Sequence, residues 1–224
     1  MKVTLQRDEL LVLDEVLAPE AFARVVDYVR HEAVLKSVHA DGYDRGWRFD
    51  DGHPLGAPSV LLEVDDAPEG PRPGAPLPLE GPSRYAFPTD SPFDLVVDAV
   101  LRAFPQAAEW VGAPGRRWRT LAARVFVYPP GTSLDWHDDA THYTGAFTFY
   151  AHPRWEPSWG GELLVRTRTP EGTGLFIDPT PNRLVVVRAN VEHKVCRVTS
   201  ACAMGRASVS GFFDTRTLAE EAGP

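Results

Sequence analysis

Residues 133–140, SLDWHDDA, set an imidazole, His137, against Asp138 and Asp139, with Asp135 two places upstream. In an extended strand alternate side chains share a face, so His137 and Asp139 point one way and Asp138 the other. An imidazole and a carboxylate two residues apart make a half-site for a divalent metal. A second histidine would complete a 2-His-1-carboxylate set, which suits non-haem Fe(II) and leaves coordination positions open. The candidate is His193 in ANVEHKVCRV. It directly follows the apolar run RLVVVRA, at a strand end or turn from which a ring can reach into a barrel mouth.

Downstream, GRASVSGFF alternates, with Arg206, Ser208 and Ser210 on one face and Ala207, Val209 and Gly211 on the other. An arginine facing inward from a β core is costly to leave unpaired. It implies a bound anion or a buried acid, and the planar fork of its guanidinium suits a carboxylate.

These groups need a scaffold, and the chain of 224 residues is long enough to bury a sizeable core in one decorated domain. Hydrophobic content of 43% and charged content of 24% fit a soluble globular protein. The formal charge of −8 argues against a broad nucleic-acid or anionic-membrane surface. Charges at Arg7, Asp8 and Glu9 interrupt the start before any signal-like apolar run, and no stretch approaches a membrane span, so the expected location is cytoplasmic. Cys196 and Cys202 have neither zinc nor redox spacing and are read as packing residues in a reducing compartment.

Two amphipathic helices are expected. The first, PEAFARVVDYVRHEAVL, carries Phe22, Val25, Val26, Val29 and Ala33 at helical spacing with Pro19 in its first turn. The second opens at Ser91 and Pro92, buries Phe93, Val96, Val97, Val100, Leu101 and Phe104, and is expected to be disrupted by Pro105. Residues 39–58 and 66–82 are too rich in Gly and Pro for regular structure and read as surface loops. From residue 119 the texture changes to short β-rich runs: TLAARVFVYP, TGAFTFYA, GELLVR, GLFI, NRLVVVR and RASVSGFF. Such spacing means a sandwich or barrel. The expected organisation is therefore a single domain: helical support and cover loops over 1–118, a β core with the site over 119–213, and a tail over 214–224.

On the stretches VYPPGTSLDWHDD, GAFTFYAHPRW, WGGELLV, PNRLVVV, EHKVCRV and GRASVSGFF, the C-terminal half resembles the Fe(II)- and 2-oxoglutarate-dependent dioxygenases of the prolyl 4-hydroxylase type. The resemblance implies an α+β fold dominated by β, a double-stranded β-helix or cupin-like jelly roll with supporting N-terminal helices. It implies that His137, Asp139 and His193 bind Fe(II), and that Arg206 grips the distal carboxylate of 2-oxoglutarate with Ser208 nearby. Tyr128 and Tyr150 fall where such enzymes often place tyrosines against the cosubstrate. O2 is the second cosubstrate, and ascorbate dependence is left open. Halogenating relatives replace the carboxylate that is kept here as Asp139, so hydroxylation is the default product. Repair demethylases of alkylated nucleic acids carry a denser arginine motif after the second histidine, which is not seen here, and no nucleic-acid or membrane partner is expected.

The substrate is expected to be a small molecule or a peptide: amino-acid-like, peptidyl or a natural product. Trp47 and Arg48 in the first loop, with Asp50 or Asp51, could clasp a zwitterion or form a surface ion pair. Asp138 could position substrate or be a solvated acid. Trp155 and Trp159, like Trp136, could line a cleft or pack. His142 and His152 have no place in the ligand order and are read as structural. The competing function is a cupin-type metal-binding protein, a sensor or isomerase, which needs no inward arginine one strand after its last ligand. An inactive relative used as an interaction module is the third. Oligomeric state is not legible.

Overall fold

The computed structural model describes residues 1–33, 55–56, 59–63, 84–139, 142–166 and 173–216. Strand β1 (Lys2–Arg7) returns as β2 (Leu10–Asp14) in an antiparallel hairpin. The apolar run Leu10–Leu13 has no alternation because both of its faces are buried. Helix α1 (Pro19–Asp27) starts with Pro at its N-terminus and Glu20 in its first turn, then continues as a wider π turn over Tyr28–Ala33. Short strands β3 (Leu55–Gly56), β4 (Ser59–Glu63) and β5 (Arg84–Ala86) lead to helix α2 (Asp94–Val111). The Asp94 carboxylate accepts from the Thr89 backbone N–H at 2.9–3.0 Å and from its hydroxyl at 2.8 Å, fixing the entry to α2.

The remaining strands are β6 (Thr120–Tyr128), β7 (Leu134–His137), β8 (Tyr143–Tyr150), β9 (Leu163–Arg166), β10 (Gly174–Ile177), β11 (Leu184–Arg188), β12 (His193–Val195) and β13 (Arg206–Asp214). Nine strands form one sheet in the order β1-β2-β11-β8-β13-β6-β4-β5, with β3 also pairing β6. The other sheet runs β10-β9-β12-β7. Every pairing is antiparallel except β4 with β5. Two facing antiparallel sheets with the helices against the larger one give the expected double-stranded β-helix.

Strand parity sorts the core into two layers. Leu11, Leu13, Val125, Phe149, Val186 and Val209 face α1 and α2. Their neighbours Leu10, Val12, Tyr128, Tyr150, Val185 and Val187 face the smaller sheet. Each fully buried aliphatic side chain contributes roughly 1.5–3 kcal/mol, so both layers hold the large sheet in place. The second layer carries the site: Tyr128 and Tyr150 belong to it, with the guanidinium of Arg206 over both rings.

Three expectations about the N-terminal half need correction. Residues 1–118 are more than helices and loops, since they supply five strands to the large sheet. Pro105 does not end the second helix. It lies exposed inside α2, whose Ala107 and Val111 are buried beyond it, and that packing outweighs the roughly 3 kcal/mol a helical proline costs. Leu55–Gly56, within the first expected loop, pairs with β6. Trp47, Arg48, Asp50 and Asp51 lie outside the described residues, as does the second loop. Among the described residues no helix is long and apolar enough to cross a membrane.

Candidate metal centre and cosubstrate cavity

His137 is the last residue of β7 and His193 the first of β12, and the two strands pair so that these residues stand directly opposite each other. Cross-strand partners are close enough for side chains to touch, and the imidazole centroids are 4.3 Å apart. Asp139, two residues past the end of β7, brings its Oδ2 to 3.4 Å from His193 Nε2. One ligand atom from each of His137, Asp139 and His193 lies within 4.8 Å of the other two.

Both histidines are oriented in the same way. The Nδ1–H of His137 donates to the carbonyl of Asp135 at 2.7 Å, and that of His193 donates to the carbonyl of Val191 at 2.8 Å. A carbonyl only accepts, so each Nδ1 must carry the proton, and the lone pair is left on Nε2. That backbone bond to the non-ligating nitrogen is the support expected of a metal-binding imidazole. Burial holds His193 below the ordinary imidazole value, in the neutral form that ligates. Burial also pushes the Asp139 carboxyl up, against the pull of the two histidines, and a cation beside it would favour the carboxylate. Two nitrogens and one carboxylate can hold a non-haem iron with positions to spare. Asp138 is exposed and outside the cluster.

The same cavity, about 260 Å³, is lined by the triad together with Tyr128 and Arg206. Arg206 opens β13 opposite Tyr128 and is only 2% exposed. Its guanidinium lies 5.0 Å from the Tyr128 ring centroid and 4.8 Å from that of Tyr150. Among the described residues its Nε and the Tyr150 hydroxyl have no hydrogen-bond partner, and no carboxylate pairs with Arg206. An orphaned buried cation is expensive, and this one calls for an anion in the cavity. Gly161, at φ +72°, makes room for it: a Cβ there would lie 3.0 Å from Arg206 Cδ. Ser208 follows on the same face, fully buried, with its hydroxyl 3.2 Å from that of Ser210. Burial pushes the Tyr128 phenol up to about 12, so it remains a donor.

The other singled-out residues sit elsewhere. Trp155 meets Trp159 edge-on at 5.3 Å and donates its Nε1–H to the Gly160 carbonyl at 3.0 Å. Trp159 is buried, and neither tryptophan is among the residues lining the cavity. Trp136 is exposed on the outer face of the small sheet, with Arg166 4.7 Å and Lys194 5.6 Å from its ring centroid. His152 is buried, its Nδ1 3.1 Å from the Ala207 carbonyl and its Nε2 2.6 Å from that of Pro179; burial depresses it to about 4, and the neutral ring donates to one of the two. His142 is outside the triad cluster. Both cysteines are free thiols, with Cys202 packed in the second core layer. Arg124 carries no motif in the sequence yet lines the cavity. The signal that marks it is parity, because residues 124, 126 and 128 share one face of β6.

No curated protein sequence matches the chain. Among solved structures it is similar to a prolyl-4-hydroxylase from Pseudomonas putida, 15% identical, with 93% of each chain covered and a TM-score of 0.60. A prolyl hydroxylase from Trichoplax adhaerens, in complex with a hypoxia inducible factor oxygen degradation domain peptide fragment, is 14% identical over 96% of this chain and 86% of that one, TM-score 0.56. An oxidoreductase of the 2OG-Fe(II) oxygenase family from Burkholderia pseudomallei is 15% identical over 93% and 85%, TM-score 0.54. At such identities the likeness establishes the fold, that of the prolyl-4-hydroxylase-like oxygenases. Residues 123–214 also match the family model of the 2OG-Fe(II) oxygenase superfamily, and that span runs from β6 to the end of β13, through the triad and Arg206. This match, over less than half of the chain, extends the likeness from fold to chemistry: residues 123–214, the β core that holds the triad and Arg206, are similar to the 2OG-Fe(II) oxygenase superfamily and support a dioxygenase that uses Fe(II), 2-oxoglutarate and O2.

Proposed function

We propose that His137, Asp139 and His193 hold Fe(II), that Arg206 receives the distal carboxylate of 2-oxoglutarate, and that the enzyme hydroxylates an unactivated C–H bond of an amino-acid-like, peptidyl or natural-product substrate. The observation that carries this reading is Arg206: a buried guanidinium without an acid partner among the described residues, in the same cavity as three clustered ligand groups. A cupin-type sensor or isomerase has no use for that unpaired charge. Bound iron, with O2 and 2-oxoglutarate, supplies the oxidation: one oxygen atom enters the substrate C–H bond, the other enters succinate, and CO2 leaves.

The chain's own residues bind, orient and exclude water. The two Nδ1–H bonds to backbone carbonyls keep the Nε2 lone pairs aimed at the metal position. Arg206 offers a planar fork to a carboxylate, and the neighbouring Tyr150 hydroxyl, unpartnered, is a further donor to it. Tyr128 lines the cavity beside Arg206, where a neutral phenol can donate without adding charge, and Ser208 is buried on the same face of β13 as Arg206. Leu163 and Val195 wall the cavity with apolar surface from the small sheet. Asp138, exposed and next to the triad in sequence, is left free to meet substrate. The free thiols Cys196 and Cys202 fit work in the reducing cytoplasm.

The test is succinate release from 2-oxoglutarate by the purified chain with Fe(II) in air. Succinate is expected from the wild type and none above background from Asp139→Ala or His193→Ala. Equal release by the variants would overturn the triad assignment.

A further inference from the structure

Building on the oxygenase reading, we infer that Arg124 anchors the free carboxylate of the primary substrate, so that the substrate is a small carboxylic acid of the free amino-acid kind and not an internal stretch of a polypeptide. Arg124 sits on β6 facing the cavity that holds the triad. Its guanidinium lies 4.9 Å from the Phe126 ring centroid, and no carboxylate among the described residues pairs with it. Among the described residues the one acid lining the cavity is Asp139, which the metal claims. A second unpaired cation therefore faces the reaction space.

Its position separates it from the cosubstrate arginine. In the β6–β13 ladder Arg206 stands opposite Tyr128, whereas Arg124 stands opposite Ser210. Four residues of strand, about 13 Å, separate the two levels. A small diacid held at Arg206 leaves Arg124 to another molecule. Around Arg124 the donors fit an anion. The Ser208 and Ser210 hydroxyls are 3.2 Å apart, and those of Ser210 and Thr148 are 3.0 Å apart. These three hydroxyls share two hydrogen bonds, so one O–H is left to donate. One guanidinium with one hydroxyl matches a single negative charge. A phosphate monoester, at about −1.5 to −2, would be under-neutralised, so the chemistry points to a carboxylate. The cavity is also tight, at about 260 Å³ for cosubstrate and substrate together.

The full-length enzyme with Fe(II) tests this through 2-oxoglutarate turnover with protein-building L-amino acids and unbranched carboxylic acids. Each is paired with its carboxamide, which keeps the shape and removes the charge. Expected is stimulation by an acid and not by its amide. In Arg124→Gln the KM for that acid should rise on the order of 10- to 100-fold, the range for losing a hydrogen bond to a charged group. Arg124→Lys should fall between, since it keeps the charge without the fork. The midpoint of a 2-oxoglutarate titration, followed by the visible charge-transfer band of the iron, should stay at its wild-type value in Arg124→Gln. Amides or end-blocked peptides as effective as the acids, phosphomonoesters alone, or no stimulation by any acid would overturn the anchor. So would a 2-oxoglutarate midpoint that moves as far as the KM. Absence of the band in the wild type would instead bring down the oxygenase reading on which the anchor rests.

Discussion

Replacing Arg206 by Met separates a cosubstrate receptor from a structural cation. In the fold without ligand, Arg206 gains from two ring faces, Tyr128 at 5.0 Å and Tyr150 at 4.8 Å, about 0.5–2 kcal/mol each over the range from exposed to desolvated contacts. Against that, its buried and unpartnered Nε costs roughly 1–3 kcal/mol. The two nearly cancel, so Arg206→Met should melt within about 4 °C of the wild type when both lack ligand. With metal present, 2-oxoglutarate at 100 times its dissociation constant stabilises the wild type by about 2.7 kcal/mol, or about 5–11 °C for a chain of this size. Losing the charge-assisted pair weakens binding roughly thirtyfold, from about 2 kcal/mol. The same concentration then stabilises the variant by only about 0.9 kcal/mol, or about 2–4 °C. Thermal melts of apo, metal-loaded and metal-plus-2-oxoglutarate protein read all of these shifts. An undiminished 2-oxoglutarate shift in Arg206→Met would refute the receptor role. A collapse of the ligand-free fold, by the roughly 3–5 kcal/mol that breaking a buried ion pair costs, would show that Arg206 has a structural partner.

Three further outcomes follow from the geometry. Equilibrium dialysis with Mn(II) should show loss of metal in His137→Ala, Asp139→Ala and His193→Ala but retention in Asp138→Ala; the reverse for the two aspartates would mean the register of β7 is wrong. Gly161→Ala should destabilise by about 1–2 kcal/mol, because its φ of +72° disfavours a side chain, and should weaken 2-oxoglutarate binding by displacing Arg206; an unchanged titration would show that the arginine tolerates the methyl. Asp14 accepts from Arg183 at 2.6 and 3.0 Å and from the Thr4 hydroxyl at 2.6 Å, and the Arg183 hydrogen bond holds its carboxyl below the ordinary 3.8. Since the folded value is the lower one, this pair's stability is complete above about pH 3.8 and is lost as the pH falls through the folded value. Asp14→Asn should therefore cost about 1 kcal/mol at neutral pH and flatten that acid limb of a denaturant-midpoint profile; an unaltered limb would contradict the pairing.

The site was more legible in the sequence than the scaffold around it. His137 and Asp139 are two residues apart, a spacing that marks them as a pair, although Asp139 lies past the end of β7 and is placed by the segment that follows the strand and not by its period. Arg206, Ser208 and Ser210 share a face of β13 through the strand's period of two. The opposition of His193 to His137 is a tertiary register that no local pattern encodes, and the order of ligands along the chain stands in for it. The N-terminal hairpin was missed because β2 is apolar at four successive positions, which hides the period-two signal, and β1 is an exposed edge with little apolar content. Pro105 was misleading because local chemistry predicts a break, whereas burial of Ala107 and Val111 on the sheet favours continuation. Arg124 escaped notice for a different reason: an arginine in a strand is unremarkable until the neighbouring sheet shows which face is enclosed.

The most direct test of the central claim is an anaerobic titration of the Fe(II)-loaded protein with 2-oxoglutarate, followed in the visible range. A weak, saturable metal-to-ligand charge-transfer band is predicted, because chelation needs adjacent open positions on an iron held by His137, Asp139 and His193. Folded, iron-loaded protein that shows no band at saturating 2-oxoglutarate would contradict the account and favour a metal-binding barrel that does not use this cosubstrate.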